Sequence, residues 1–449
     1  MDPIVRIVAF VVVLGILVVF HELGHLVVAR WCGVKVLRFS VGFGRIVWSR
    51  RWGRDAIEWA LSAIPLGGYV KMLDEREGAV DPADLARAFN RQSVYKRIAI
   101  VAAGPIANLL LAVLLFAGTF VYGVPGQRAL LTDPPASTPA AAAGIRDGDL
   151  VVAVDGEPVK SWQDLRWRLL RASGAKATTI DVERPDGSRA TRVLPIESIS
   201  GTDWEGNFMS TLGLRADLGT PLVDEVVPDK PAARAGLVKG DRIVAIDGAA
   251  VRSPAEVAAK TNAKPGGEVT FRIVRDGVER DVAITTDVVE QNGHKVGIAG
   301  VRLKVDPNIA ERLAVTARYG VVDALAQGLR KTSELTVFTL KMLGRIVIGE
   351  ASIKNISGPI TMAEFAGQSA QAGVLVFVGY LALISISLGV LNLMPVPLLD
   401  GGHLLYYFAE IIKGSPVSDR AFEVGQRIGM AMLAVLMALA LFNDLSRLF

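Results

Sequence analysis

The sequence predicts a polytopic α-helical membrane protein: four transmembrane helices, a β-hairpin region at the membrane, and two small α+β domains outside it. Three observations carry that prediction. Segments near 4–31, 98–123, 373–396 and 427–445 approach or exceed the roughly 20 apolar residues that cross a hydrocarbon core. A pattern of 22 residues recurs at an offset of 92 within the long stretch between the second and third of these segments. The chain of 449 residues, 51% hydrophobic, is too long for one ordinary domain and too apolar for a wholly soluble one.

Residues 1–32 form the first span. It lacks a basic leading region and a small-residue cleavage site after the apolar run, so it is expected to stay in the mature protein. Residues 33–93 follow as a loop. The end of the first span and the start of this loop, residues 30–54, carry Arg30, Lys35, Arg38, Arg45, Arg50, Arg51 and Arg54 with no acid among them, and the positive-inside rule assigns the loop to the cytoplasm. The amino terminus, the repeat region and, after four crossings, the carboxyl terminus then face outward. Within the loop, "VKVLRFSVGFGRIVWS" and "AIEWALSAIPLGGYVKM" are rich in β-branched and aromatic residues punctuated by Gly42, Gly44, Gly67 and Gly68, the composition of a strand pair.

Residues 94–124 form the second span. The repeat then appears as "AAAAGIRDGDLVVAVDGEPVKS" at 140–161 and "AARAGLVKGDRIVAIDGAAVRS" at 232–253. Each copy reads as a short helix stopped by Gly144 or Gly236, a strand, and a tight hairpin at Asp155-Gly156 or Asp247-Gly248. The pattern resembles bacterial PDZ domains, at 125–217 and 218–304. PDZ domains take peptide termini on a sheet edge, and the resemblance implies Gly213, Leu214, Gly297 and Ile298 as candidates for that groove. Residues 305–370 mix apolar and basic positions at helical spacing and suit amphipathic helices on the outer membrane face. Residues 371–410 hold the third span, and 411–449 a turn and the fourth.

The chemistry is expected at "HELGHLVVAR", residues 21–30, where ionisable groups interrupt an apolar span; at membrane depth such groups mark a functional site. His21 and His25 share one helical face with Glu22 beside them, the H-E-x-x-H spacing of a zinc site. Cys32 is the only cysteine, which excludes a disulfide within the chain and a multi-cysteine metal site, and only four histidines exist, His21, His25, His294 and His403. A third ligand at the same depth and side comes from "LNLMPVPLLDGGHL", where Pro395 and Pro397 break the third span ahead of Asp400. His403 is read as a neighbour of the site, because a catalytic zinc keeps a position for water. Gly104 and Asn108, also one turn apart, are read as close helix packing with an interhelical hydrogen bond. The charge of +4 is spread without a basic block, which argues against nucleic acid.

Together, H-E-x-x-H, G-P-x-x-N at 104–108 and N-x-x-P-x-x-x-x-D-G at 392–401 resemble the site-2 protease family of intramembrane zinc metalloproteases. The paired PDZ domains between spans two and three resemble its branch that regulates sigma-E in Gram-negative inner membranes. The resemblance implies one zinc held by His21, His25 and Asp400, Glu22 as catalytic base, and Asn392 and Pro397 as substrate contacts. It further implies a membrane-reentrant hairpin that meets substrate through Gly42, Gly44, Gly68 and Tyr69, and Gly104, Asn108 and Gly401 as structural residues near the site. The implied substrates are single-pass membrane proteins, above all an anti-sigma factor already cut outside the membrane, and leftover signal peptides. Ser387 stands where relatives carry an asparagine.

Overall fold

The computed structural model describes residues 3–53, 55–172, 175–197, 208–291, 294–349, 358–415 and 417–448. It forms two compact units, one of residues 1–123 with 319–449 and one of residues 124–318.

Among the described residues of the first unit, four helices are long and apolar enough to cross a membrane: Pro3–Trp31, Val94–Tyr122, Val374–Leu393 and Asp419–Leu448. The second begins at Ser93, whose side chain accepts from the Lys96 N–H, and ends at Gly123. Small residues let the spans approach closely, which is how helices associate without a hydrophobic driving force between them. A Cβ added at Gly24 would lie 2.7 Å from that of Ala107, and one at Gly389 would lie 3.0 Å from the Pro105 carbonyl oxygen. Spans one, two and three close over Ala9, Val13, Leu17, Leu111 and Leu381. The amphipathic helix Val321–Val347 presses Gly328 onto the backbone of the second span at Val113 and Ala117.

The third span stops at Leu393. Pro395 and Pro397 lack the N–H a continuing helix needs, the chain turns through Leu398 at φ +83, and a new helix runs from Asp400 to Lys413. Gly401 and Gly402 sit directly on the carbonyls of Leu393, Met394 and Val396, where any side chain would collide. The two glycines therefore fix where the Asp400 helix starts.

The hairpin consists of Val36–Trp52 and Ile57–Met72. Both strands bend midway, one at Gly42 and Gly44 (φ +92 and +83) and the other at Gly67 (φ +116), conformations that disfavour a side chain. Residue Arg38 consequently pairs with both Lys71 and Glu58, and the two strands make a mixed sheet of four segments, in the order 68–72, 36–41, 57–62, 46–52, with the two central segments running parallel and the outer two antiparallel to them. Segments 68–72 and 46–52 are its edges.

The second unit contains the two repeats, each with its own core. The first packs Leu165, Leu169, Ile180, Val182 and Leu194 beneath an antiparallel sheet of four strands; the second packs Val257, Val269, Phe271, Ile273 and Ile284 beneath one of six. The Asp-Gly hairpins form as anticipated. Asp155 and Asp247 take left-handed φ of 48 and 52, and each carboxylate accepts a backbone N–H from the neighbouring strand, Thr179 or Thr270. Ser161 and Ser253 cap the repeat helices Trp162–Arg171 and Pro254–Asn262.

Candidate metal centre

Three side chains converge in the first unit, and they come from both ends of the sequence. His21 and His25 project from one face of the first span, and Asp400 is the first residue of its helix. His21 Nε2 lies 3.2 Å from His25 Nε2 and 3.1 Å from Asp400 Oδ2, and His25 Nε2 lies 3.6 Å from the same oxygen. Among the described residues this is the group of three or more His, Cys, Asp or Glu side chains able to hold a metal.

The surroundings fit a divalent ion. Ligands about 2.0–2.1 Å from a tetrahedral zinc lie roughly 3.3 Å from one another, the separation found here. His25 Nδ1 donates to the Ile100 carbonyl at 2.8 Å, which leaves the Nε2 lone pair directed at the centre. His21 Nδ1 faces the Asn108 amide at 3.2 Å, and Asn108 Oδ1 is buried without a partner. With Nε2 of His21 turned to a metal, Nδ1 carries the proton and requires an acceptor. Turning the Asn108 amide end for end would supply Oδ1 to it. Two nitrogens and one carboxylate make an open catalytic set with room for a fourth ligand.

Asn108 makes an interhelical hydrogen bond of the kind read from the sequence, and its partner is His21. It is fully buried, it faces His21, and Ser385 Oγ donates to its backbone carbonyl at 2.7 Å. Gly104 lies against the same imidazoles. A Cβ there would overlap His25 Nε2 and come within 2.8 Å of His21 Cε1. The absence of a side chain at 104 is what lets both rings sit against the second span. The i, i+4 spacing of Gly104 and Asn108 was the signal available in the sequence, but it did not say which neighbour they face.

Glu22 is buried on the same helix as His21 and next to it in sequence. Its Cγ rests on Gly68, where an added Cβ would stand 3.0 Å away. The edge segment 68–72 thus borders the glutamate. Tyr69 is turned into the hairpin, stacking on Phe43 with centroids 6.3 Å apart and accepting from Arg38 at 3.1 Å. Gly42 and Gly44 serve the bend. Asn392 is half-buried, and its amide makes no hydrogen bond with a described residue. Pro397 lies under the start of the Asp400 helix, against Gly402 and Gly429. Ser387 bonds its own helix at Leu383. His403 is outside the group of three and packs on Phe422, centroids 5.8 Å apart.

In the repeats, Leu214 is 2% exposed and belongs to the first core, so its side chain does not line an open groove. Gly213, at φ +81, abuts Thr138, and Gly297 is pressed against the carbonyls of Thr261 and Lys264 at the end of the second repeat's helix. Ile298 closes the strand His294–Ile298 and pairs with Asp287.

This geometry is that of a metallopeptidase built into a membrane protein, and the profile of peptidase family M50 matches residues 9–436. The chain belongs to that family. It is 40% identical over 447 residues to the regulator of sigma-E protease RseP of Escherichia coli (strain K12), with 98% of each chain covered. The protein of the same name in Salmonella typhimurium (strain 14028s) is 40% identical over 444 residues, again with 98% of each covered. A Neisseria meningitidis serogroup A protein with "zinc metalloprotease" in its name is 43% identical over 444 residues, also with 98% of each covered. Among solved structures, the PDZ domain of an SdrC-like protein from Listeria monocytogenes is 28% identical, with a TM-score of 0.17, covering 20% of this chain and 90% of that one. The chain is a zinc metalloprotease of family M50 and a multi-pass membrane protein.

Proposed function

We propose that this protein is an intramembrane endopeptidase of a bacterial inner membrane, with zinc held by His21, His25 and Asp400. The observation that carries the reading is the convergence of those three donors from segments nearly 380 residues apart, inside 4.8 Å of one another. When bound, zinc supplies Lewis acidity, polarising the scissile carbonyl and bringing the pKa of a coordinated water towards 7. Glu22 takes the proton of the attacking water and returns it to the leaving amine. Gly68 borders the Glu22 side chain at its Cγ. Asn108 and the Ile100 carbonyl keep both imidazoles in the tautomer that presents Nε2.

A transmembrane substrate arrives helical and must be unwound before hydrolysis. The edge segment 68–72 offers unpaired backbone groups beside Glu22, so strand addition there would hold the substrate extended past the carboxylate. The Asn392 amide, which bonds no described residue, suits a clamp on the released substrate backbone. The RseP relatives are named as regulators of sigma-E, which supports an anti-sigma factor as substrate. The cationic residues at 30–54 support a site at the cytoplasmic side, with both termini and the PDZ-type domains outside. Those domains would exclude uncut substrates or sense newly made ends.

Metal analysis of the purified full chain in detergent tests the ligand set. One zinc per chain is expected, and His21→Ala, His25→Ala and Asp400→Ala should each remove most of it. Retention of full zinc in all three variants would overturn the assignment.

A further inference from the structure

The Asp400 helix has a demanding task. It is 14 residues long, it follows a turn with two prolines, and its first residue must meet two imidazoles carried by another helix. Glycine contacts at 401 and 402 set where it begins, and His403 and Tyr406 in its middle pack on Phe422 of the last span. The far end is held by a different device. Arg97 of the second span donates from Nη2 to Glu410 Oε1 at 2.6 Å. The two side chains are only 14% and 15% exposed. The same guanidinium lies 4.8 Å over the ring of Tyr407, one turn earlier. Arg97 Nε is occupied as well, donating to the Gln92 carbonyl at 3.2 Å, so the head group is fixed in orientation.

The position of Arg97 matters as much as its partners. It stands three residues before Ile100, whose carbonyl receives the His25 Nδ1–H. One turn of the second span therefore grips His25 directly and the Asp400 helix at its far end, about 15 Å from Asp400 by the helical rise. A planar guanidinium that combines a charged hydrogen bond with an aromatic face is a directional clamp.

We propose that the Arg97–Glu410–Tyr407 clamp is a positioning element for the third metal ligand, setting the direction of the Asp400 helix and with it the residence of zinc. It rests on the ligand assignment made above. It acts through Asp400 and does not touch substrate. An ion pair that merely joined helices would contribute to stability and leave metal exchange unchanged.

The test measures zinc release from the full chain to an excess of chelator, with kcat and KM for a shortened single-pass substrate. Arg97→Gln and Glu410→Gln should each speed zinc release by about tenfold, in the range of outer contacts to metal ligands. They should lower kcat more than KM, and the double variant should be no worse than either single one. Should a single variant fail to fold, the exchange Arg97→Glu with Glu410→Arg restores the pair and should return release towards the original rate. Arg91→Gln, which removes the exposed pair with Glu75, serves as the control and should leave release unchanged. Release at the original rate in folded Arg97→Gln and Glu410→Gln overturns the clamp. If the unsubstituted chain binds no zinc, or Asp400→Ala keeps it, the ligand assignment fails instead, and the two failures are distinguishable.

Discussion

At the scale of single residues, the site depends on what Gly104 lacks as much as on what His21 and His25 supply. A methyl group at 104 overlaps the His25 ring, so Gly104→Ala should displace one or both imidazoles and weaken zinc binding by about tenfold or more. Chelator competition checks this, and Gly118→Ala, where an added Cβ meets nothing within 4 Å, is the matched control in the same span. Asn108→Leu fills similar volume without an acceptor for His21 Nδ1. It should lower zinc affinity by a similar factor, while Asn108→Asp, which keeps an acceptor, should retain it better. Equal zinc binding in the leucine and aspartate variants would contradict the orienting role.

The catalytic motif was legible in the sequence because H-E-x-x-H fixes its geometry by helical spacing alone. Asp400 was legible for a different reason: two prolines break an apolar span, and a break at membrane depth has few uses other than a site. The facing of Asn108 was not legible. A glycine and an asparagine one turn apart look the same whether they meet another helix or a metal ligand, and only the fold chooses. Leu214 shows the reverse limit. A Gly-apolar pair matches a groove pattern, yet the apolar member turned inward because the first repeat needed it for its core.

At the scale of elements, the hairpin is the clearest case of sequence composition giving the secondary structure without its topology. Strand character was evident from β-branched and aromatic residues, but the sharp bends at Gly42, Gly44 and Gly67 turn two strands into a sheet of four segments. That folding places the 68–72 edge beside Glu22. Gly67, at φ +116 with Phe43 against it, tolerates no side chain, so Gly67→Val should disturb this edge and lower cleavage while zinc content stays unchanged. Zinc loss in step with activity would move the effect from the edge to the metal.

The repeats are held by buried carboxylates, and these predict a pH response. Burial works against the charge of Asp241, but hydrogen bonds from Arg275 at 2.7 Å and from the Val238 N–H at 2.9 Å outweigh it and hold the carboxyl below its ordinary value. A depressed carboxylate stabilises the fold above the unfolded-chain pKa of about 3.9, and that contribution is lost as pH falls through the lower folded value. Hydrogen exchange on the full chain should therefore show protection of Arg242–Ile246 falling in acid. Asp241→Asn should lose about 1.5–3 kcal/mol of local stability at neutral pH and show a flatter acid response. An unchanged acid profile in that variant would remove Asp241 from the cause.

At the scale of the whole molecule, the repeats carry cores that share no residue with the metal centre. Zinc removal should consequently abolish cleavage and raise hydrogen exchange in the first span and the Asp400 helix, while the strands of residues 124–318 keep their protection. Loss of protection in both units together would mean that the metal supports more of the fold than its own neighbourhood.

The most direct measurement is cleavage of a shortened single-pass substrate in reconstituted membranes by the unsubstituted chain and by Glu22→Gln, compared at equal zinc content. The loss of a general base predicts a fall in kcat of about 10²–10⁴ with zinc retained. Equal cleavage by both proteins would contradict the account, because it would leave the buried carboxylate beside the metal without a part in the chemistry.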